Sequence, residues 1–264
     1  HAWAYREISL LLERPPGRES YPGDIFYLHS RMIERAAKLN KEGGQGSMTF
    51  FPIIEILEGD LTGYISTNLV SMTDGQIYLS TPLFGEGFKP PIEVGLSVSR
   101  IGSKVQWPAL KKLSKSLRLD YIQYREVLRT SRLKAGGTSE EAGEQKKGGE
   151  VLSEILKQDR DQPAPMLKEI IIFYGLSKKL FQELDVPQIK RMESEIYEFA
   201  QEHYADTLKK IAETRELDEE SEAQLDKLIG DYLKILAQAQ KAVEEETAKE
   251  ELAKEEAAVA ESKE

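Results

Sequence analysis

The chain has 264 residues, with 36 Lys and Arg against 46 Asp and Glu, and a formal net charge of −10 at pH 7. This acidic balance argues against a nucleic-acid-binding protein, which needs a basic face to displace counterions. The absence of cysteine excludes disulfides, thiolate metal sites and a cysteine nucleophile, and the three histidines are too scattered for a histidine-rich metal site. No apolar run approaches the ~20 residues that cross a bilayer, so we expect no direct membrane insertion.

The N-terminal residues look like the continuation of a chain rather than its start. The sequence begins at His1, without an initiator methionine or a signal peptide, and the next residues already have helical character. We therefore expect the chain to be a piece of a longer protein.

Helical and β-rich segments alternate over the first 104 residues. Helical spacing predicts a helix over 4–12 that stops at the Pro15-Pro16-Gly17 breaker. It predicts another over 25–38, with Asp24 as its N-cap. His29, on this helix, is expected to be a packed core residue rather than a metal ligand.

The β-rich segments favour an α/β layer. The continuous apolar run 48–55 is typical of a strand buried on both faces. Shorter strands are predicted at 76–79, after the Asp74-Gly75 turn, and at 92–94. Strands mixed with helices indicate a mainly parallel sheet, although their number is low for a complete doubly wound domain.

From Trp107 onward the pattern is almost entirely helical. We predict a helical bundle with a Gly-rich break at 134–149. Its helices are expected at 107–128, 149–157, 166–175, 186–215 with interruptions, and 219–239. Asp218 and Ser221 are candidate caps for the last of these. The expected division is an α/β domain at 1–105, a helical domain at 106–240 and a tail at 241–264.

The tail is acidic. It has nine Glu and four Lys and therefore carries half of the net charge, with no Gly, Pro or aromatic residue. Such an Ala/Glu/Lys segment is expected to be a solvated single helix or a frayed, disordered extension.

The sequence contains no recognisable motif of an independent catalyst. The phosphate-binding pattern G-x-x-x-x-G-K-[ST] does not occur in it, nor do H-E-x-x-H, an EF-hand loop or G-x-S-x-G. Acidic pairs such as Asp24 and Glu55 have no spacing that places them together. Whether the chain belongs to an enzyme is left open, and no ATPase activity is expected from it alone.

An ordered series of short motifs is more informative. It runs through 14–24 (Arg-Pro-Pro-Gly-Arg-Glu-Ser-Tyr-Pro-Gly-Asp), 26–31 (Phe-Tyr-Leu-His-Ser-Arg), 71–77 (Ser-Met-Thr-Asp-Gly-Gln-Ile), 94–102 (Val-Gly-Leu-Ser-Val-Ser-Arg-Ile-Gly) and 117–126 (Leu-Arg-Leu-Asp-Tyr-Ile-Gln-Tyr-Arg-Glu). In this order the motifs resemble the alpha subunit of F-type ATP synthases, from just past that family's Walker B segment to about residue 236. The resemblance implies the C-terminal part of a RecA-like P-loop NTPase domain followed by a helical domain.

The resemblance assigns a catalytic role in trans to Arg100. In alpha subunits the arginine of Ser-Val-Ser-Arg reaches the nucleotide of the neighbouring beta subunit, and a planar guanidinium suits the negative charge of a transferring phosphoryl group. An ordinary surface or salt-bridging arginine is the alternative. Ser71 matches a serine near the same interface, with a role there and a purely structural one left open, whereas Asp74 is expected only to form a turn.

The resemblance also implies a non-catalytic nucleotide site that takes ATP or ADP with Mg²⁺ in the full-length assembly. Phe84, Lys89 and Pro90 lie where the family contacts the base, and Gln158 matches another residue on that side. A helix-flanking loop and a solvated face are the alternatives. Lys89 replaces an arginine and Arg160 a glutamine, so the stacking surface is reduced and the chain alone is expected to bind nucleotide poorly.

By resemblance, the expected function is that of a non-catalytic, regulatory alpha-subunit portion in a rotary proton-translocating ATP synthase. Its partners would be the beta subunits of an alternating ring, the central gamma shaft and the peripheral stalk. In a bacterium it would lie in the soluble sector at the cytoplasmic face of the membrane. The family's shaft-facing segment is altered at 130–149. The alternative is a structural fragment or divergent paralogue that keeps the fold only, and the coupling ion, proton or sodium, stays open.

Overall fold

The computed structural model describes residues 1–56, 59–133 and 140–261, which divide into two units. The first unit comprises His1–Gly87 and Pro91–Gly102, and the second comprises Phe88–Pro90 and the residues from Ser103 onward. Side chains at 131–133, 140–142, 144–145 and 241–261 lie outside this description.

Four short helices and one strand pair make up the regular structure of the first unit. The helices are α1 (Ala2–Leu11), α2 (Ile25–Ile33), α3 (Tyr64–Met72) and α4 (Thr81–Gly85), with a 3-10 turn at Arg18–Ser20. Strands β1 (Gly75–Gln76) and β2 (Val98–Ser99) pair antiparallel. The predicted helix at 4–12 is confirmed, and the helix that follows Asp24 ends five residues earlier than expected.

The prediction of a mainly parallel sheet is wrong for the described residues, whose only sheet is this antiparallel pair. Residues 48–55 form no strand. Phe51 and Ile53 are instead 77% and 97% exposed. A strand needs a neighbour for its backbone groups, and in the described part of the chain no strand lies beside this run. The predicted strands 76–79 and 92–94 reduce to β1 and an isolated bridge between Leu79 and Ile92.

Helices α5 to α10 form the second unit, as the sequence predicts. Their bounds are α5 (Pro108–Leu133), α6 (Glu140–Ile155), α7 (Met166–Ser177), α8 (Val186–His203), α9 (Ala205–Thr214) and α10 (Glu219–Glu261), with a 3-10 turn at Gly102–Lys104 before them. Helix α7 is packed against α5, α8, α9 and α10, and its Ile170, Ile171 and Tyr174 are fully buried. A helix that is apolar on every side has to be central.

Acidic caps begin α8 and α10, two of the long helices of this unit. Asp185 and Gln188 form a capping box at the start of α8, with bonds of 2.8 and 2.9 Å. Asp218 accepts a 2.8 Å hydrogen bond from the Ser221 amide at the start of α10, which confirms Asp218 as a cap. Ser221 itself lies inside the helix. The backbone of α10 continues through the acidic tail to Glu261.

The predicted break at 134–149 is wrong over its second part, where α6 begins at Glu140; residues 134–139 lie outside the described residues. The glycine at 149 permits close packing instead. A Cβ there would lie 2.1 Å from Cγ of Tyr124, on the neighbouring α5.

Across the described ranges, no helix combines the length and the apolar character needed to span a membrane.

We expect Gly149→Ala to destabilise the chain by about 1–3 kcal/mol, because the added methyl group collides with the base of the Tyr124 ring. Gly143, on the same helix, has nothing within 4 Å of an added Cβ. Gly143→Ala should therefore be neutral or stabilising by about 0.5–1 kcal/mol. Urea denaturation of both variants measures the difference, and equal effects of the two substitutions would contradict the packing explanation.

Glu193 on α8 is a half-buried carboxyl group in a charged cluster. Its pKa is raised to about 7, mainly by burial; the carboxylates of Glu154 and Asp159 contribute to this rise, and Lys168 and Lys190 oppose it. Glu154 is itself buried and ion-paired with Lys157 and Lys190. The folded chain therefore holds a proton on Glu193 at a pH where the unfolded chain has released it.

The free energy of unfolding should consequently fall as pH rises through about 7. Glu193→Gln removes this dependence, so the variant should gain stability relative to wild type between pH 5 and pH 8. Urea denaturation at pH 5 and at pH 8 measures the difference in the free energy of unfolding between the variant and wild type. Glu198→Gln, an exposed position of the same helix, is the control, and a Glu193→Gln difference independent of pH would be contrary to the raised pKa.

Candidate functional site

Arg100 follows directly on strand β2, and the strand pair fixes its backbone. Gly75 is opposite Ser99 and Gln76 is opposite Val98 in this pair. The Arg100 amide donates a 2.7 Å hydrogen bond to the Asp74 carbonyl oxygen, which extends the pairing by one bond. The side chain of Arg100 therefore starts from a defined position.

Gly75 is required for this pairing. A Cβ at position 75 would lie 2.2 Å from the Val98 carbonyl oxygen and 2.9 Å from Cα of Ser99. No side chain fits at such distances, so only glycine lets β1 approach the strand that carries Arg100. The Asp74-Gly75 pair was expected to form only a turn; Gly75 is itself part of the ladder.

The guanidinium of Arg100 lies at the C-terminal end of α3. Its Nη1 donates to the Ser71 carbonyl oxygen at 3.1 Å and its Nη2 to the Val70 carbonyl oxygen at 3.0 Å. Carbonyl groups in the last turn of a helix have no partner within the helix, and they form its negative end. A cation there stabilises the helix, typically by about 0.3–1 kcal/mol.

Arg100 is exposed, and its bonding partners are electrically neutral. Among the ion pairs of the described residues, none includes Arg100. An anionic oxygen adds the attraction between opposite charges to its hydrogen bond with a guanidinium, and a neutral carbonyl oxygen lacks this contribution. An arriving phosphate can therefore compete with these carbonyl groups for the side chain.

The structure brings Ser71 and Arg100 together. The Ser71 carbonyl oxygen accepts from Arg100, whereas its hydroxyl donates to the Asn68 carbonyl oxygen at 2.7 Å. Val70 was not among the predicted residues. A backbone carbonyl acceptor leaves no side-chain signal in a sequence, so nothing in the residue type could have identified it.

The residues predicted to contact a base lie in both units. Lys89, Pro90 and Gln158 belong to the second unit, where the Gln158 amide donates to the Lys89 carbonyl oxygen at 2.8 Å. The side-chain amide of Gln158 donates to the Gln162 carbonyl oxygen, also at 2.8 Å. Phe84 is on α4 of the first unit and is 58% exposed. The structure thus brings Lys89 and Gln158 together.

Within residues 1–56, 59–133 and 140–261, the described side chains form no metal site of the chain's own. Over the described residues, no three His, Asp or Glu side chains converge on a position that could hold a metal ion. His29 is buried and its pKa is lowered, mainly by burial, which confirms the prediction of a packed histidine.

Comparison with known proteins gives the same result for both parts of the chain. The sequence model of the ATP synthase alpha/beta family, nucleotide-binding domain, matches residues 1–99. The model of the ATP synthase alpha/beta chain, C terminal domain, matches residues 106–232.

Curated relatives carry the name ATP synthase subunit alpha. The protein of Clostridium acetobutylicum is 46% identical over 91% of this chain and 48% of the relative. That of Clostridium botulinum (strain Eklund 17B) is 45% identical over 90% and 47%, and that of Dehalococcoides mccartyi is 43% identical over 89% and 46%. The chain therefore spans about half the length of these relatives. On both family models and on these identities, the chain belongs to the ATP synthase alpha/beta family and is similar to the C-terminal portion of its alpha subunits.

Proposed function

We propose that the chain acts as the alpha-subunit portion of a rotary ATP synthase and supplies Arg100 to a phosphate held by a neighbouring beta subunit. The observation that carries the proposal is the state of the Arg100 side chain, which is exposed, fixed at its backbone and bonded through both Nη atoms to neutral carbonyl oxygens. These bonds orient the guanidinium without neutralising its charge.

The chemistry of phosphoryl transfer accounts for the choice of an arginine. Negative charge spreads over the oxygens of the transferring group, and a permanently charged, planar guanidinium can contact two of them. Moving from neutral carbonyls to phosphate oxygens adds the attraction between opposite charges to both hydrogen bonds. Arg100 would therefore leave the end of α3 only when the partner's site holds a phosphate. Ser71 contributes the carbonyl oxygen on which the side chain rests.

The same proposal extends to the remaining parts of the assembly. The first unit would be the back of a RecA-like P-loop NTPase domain, and the chain would contact beta subunits, the central gamma shaft and the peripheral stalk. Lys89, Pro90, Phe84 and Gln158 would face the base of a nucleotide that alpha itself holds. The sequence has no phosphate-binding loop, so these residues would not hold phosphate or Mg²⁺. Ion transport, with protons as the proposed coupling ion, would belong to the whole complex, with this chain in its soluble sector at the cytoplasmic face in a bacterium.

Replacing Arg100 tests the proposal in a reconstituted ring that contains the full-length subunits. Arg100→Ala should lower steady-state ATP turnover by about 10³-fold or more, while assembly and nucleotide binding persist. Arg35→Ala, at an exposed position of the same unit, serves as the control. Turnover near that of wild type in Arg100→Ala would leave a structural or interaction module as the function.

The strand pair provides a second test in the same ring. Gly75→Ala places a methyl group 2.2 Å from the Val98 carbonyl oxygen, so β2 must move and Arg100 with it. Because small misplacements of a reacting group cost about 10²-fold, turnover should fall by about that factor. Gly85→Ala has nothing within 4 Å of its new Cβ and should leave turnover unchanged; equal turnover in the two variants would speak against the role of the pair.

A further inference from the structure

Helix α3 is held at both ends by charged side chains from distant parts of the sequence. At its N-terminus the carboxylate of Glu19 accepts a 2.9 Å hydrogen bond from the Tyr64 amide, 45 residues away. At its C-terminus Arg100 donates to the Val70 and Ser71 carbonyl oxygens. Each charge has the sign that the helix dipole favours at that end.

Glu19 belongs to the proline-rich loop, residues 14–24, which packs against the start of α3. The Arg18 guanidinium lies 5.5 Å from the centre of the Tyr64 ring, and the Tyr21 ring lies 6.3 Å from the same ring. The Gly17 amide closes the loop by donating to the Tyr21 carbonyl oxygen at 2.8 Å. The contact of Glu19 with Tyr64 is therefore one of several contacts between this loop and the start of α3.

The backbone conformation of Glu19 also indicates that its contact with Tyr64 is imposed by the surrounding structure. Its φ is 53°, a left-handed conformation that non-glycine residues rarely adopt and that costs free energy unless the surroundings impose it. Here the conformation directs the carboxylate at the helix terminus.

The other side of the loop is attached to α1 and α2. Arg14 forms a 2.9 Å ion pair with Asp24, the residue before α2, and Tyr5 of α1 donates to the same carboxylate at 2.8 Å. Arg14 also donates to the Tyr5 hydroxyl at 3.0 Å. The loop thus joins α1 and α2 to the N-terminus of α3.

We infer that Glu19 is a positioning residue for Arg100, acting through α3. The nine residues of α3 form a rigid segment of about 13 Å, with Glu19 fixing one end and Arg100 resting on the other. Any movement of the proline-rich loop therefore shifts the carbonyl oxygens that hold the guanidinium. The functional part of this inference rests on the proposed role of Arg100, whereas the coupling between the two ends of α3 does not.

Hydrogen exchange on the 264-residue chain tests the coupling by itself. Glu19→Gln, which removes the charge but keeps the shape, should speed exchange of the Tyr64 amide and also of the Met72 and Thr73 amides at the far end. The expected factor is about two to five, the size that a charge at a helix terminus confers. Glu42→Gln, at an exposed acid of another loop, should change neither end, and far-UV circular dichroism confirms that each variant is folded.

Coupling is reciprocal, so Arg100→Ala should speed exchange of the Tyr64 amide by a similar factor. In the Arg100→Ala background, Glu19→Gln should have a reduced effect on Met72 and Thr73. An effect of Glu19→Gln confined to Tyr64, or an unchanged effect in the double variant, would overturn the inference.

Turnover in the reconstituted ring tests the functional part. Glu19→Gln should lower kcat by about two- to fivefold with KM unchanged, because it misplaces Arg100 without touching nucleotide. A change in KM alone, or an unchanged kcat, would overturn the positioning role. Normal turnover in Arg100→Ala would instead refute the proposed function, and the exchange experiment would still decide whether Glu19 and Arg100 are coupled.

Discussion

The close approach of β1 to β2 at Gly75 is the constraint on which the candidate site depends. Two short strands give few hydrogen bonds, and Gly75 allows them to come close enough for the Asp74 carbonyl oxygen to take the Arg100 amide. Once the backbone at Arg100 is fixed, the end of α3 is within reach of the side chain. The position of the long Arg100 side chain thus depends on the glycine at position 75.

The proposed role also needs a balance of strengths. A guanidinium paired with a buried carboxylate would be expensive to release, and one without partners would lose more side-chain entropy on binding. Carbonyl oxygens at a helix terminus hold the guanidinium less tightly than a buried carboxylate would, but they still restrict its conformations. They orient the charge and yield to a stronger anion, as a residue shared between two subunits requires.

The helical unit was predicted better than the strand-containing one, and the reason is physical. Helix hydrogen bonds are internal, so the periodicity around Ile196 is sufficient to predict a helix and its buried face. A strand depends on neighbours that its own residues do not specify, and for this reason the run around Ile53 was misassigned. Gly149 was misread because a glycine that breaks a helix and one that lets two helices touch look alike in sequence.

In the candidate site, too, some features were predictable from the sequence and others were not. By resemblance, the motif order predicts Arg100 and Ser71 near one subunit interface, and the structure brings the two residues together. Which atoms meet was not predictable, because the acceptors are backbone carbonyls of Val70 and Ser71 and the geometry is set by the strand register. The contact of Glu19 with Tyr64 spans 45 residues, and no local pattern encodes such a pair.

The apolar run around Phe51 and Ile53 has a practical consequence for anyone who purifies this polypeptide. Large hydrocarbon side chains presented to water adhere to one another and to whatever apolar surface they meet. Concentrated preparations should therefore be handled with a mild detergent or together with a binding protein that shields this stretch. Light scattering as a function of concentration is then the quality check to run before any enzymology.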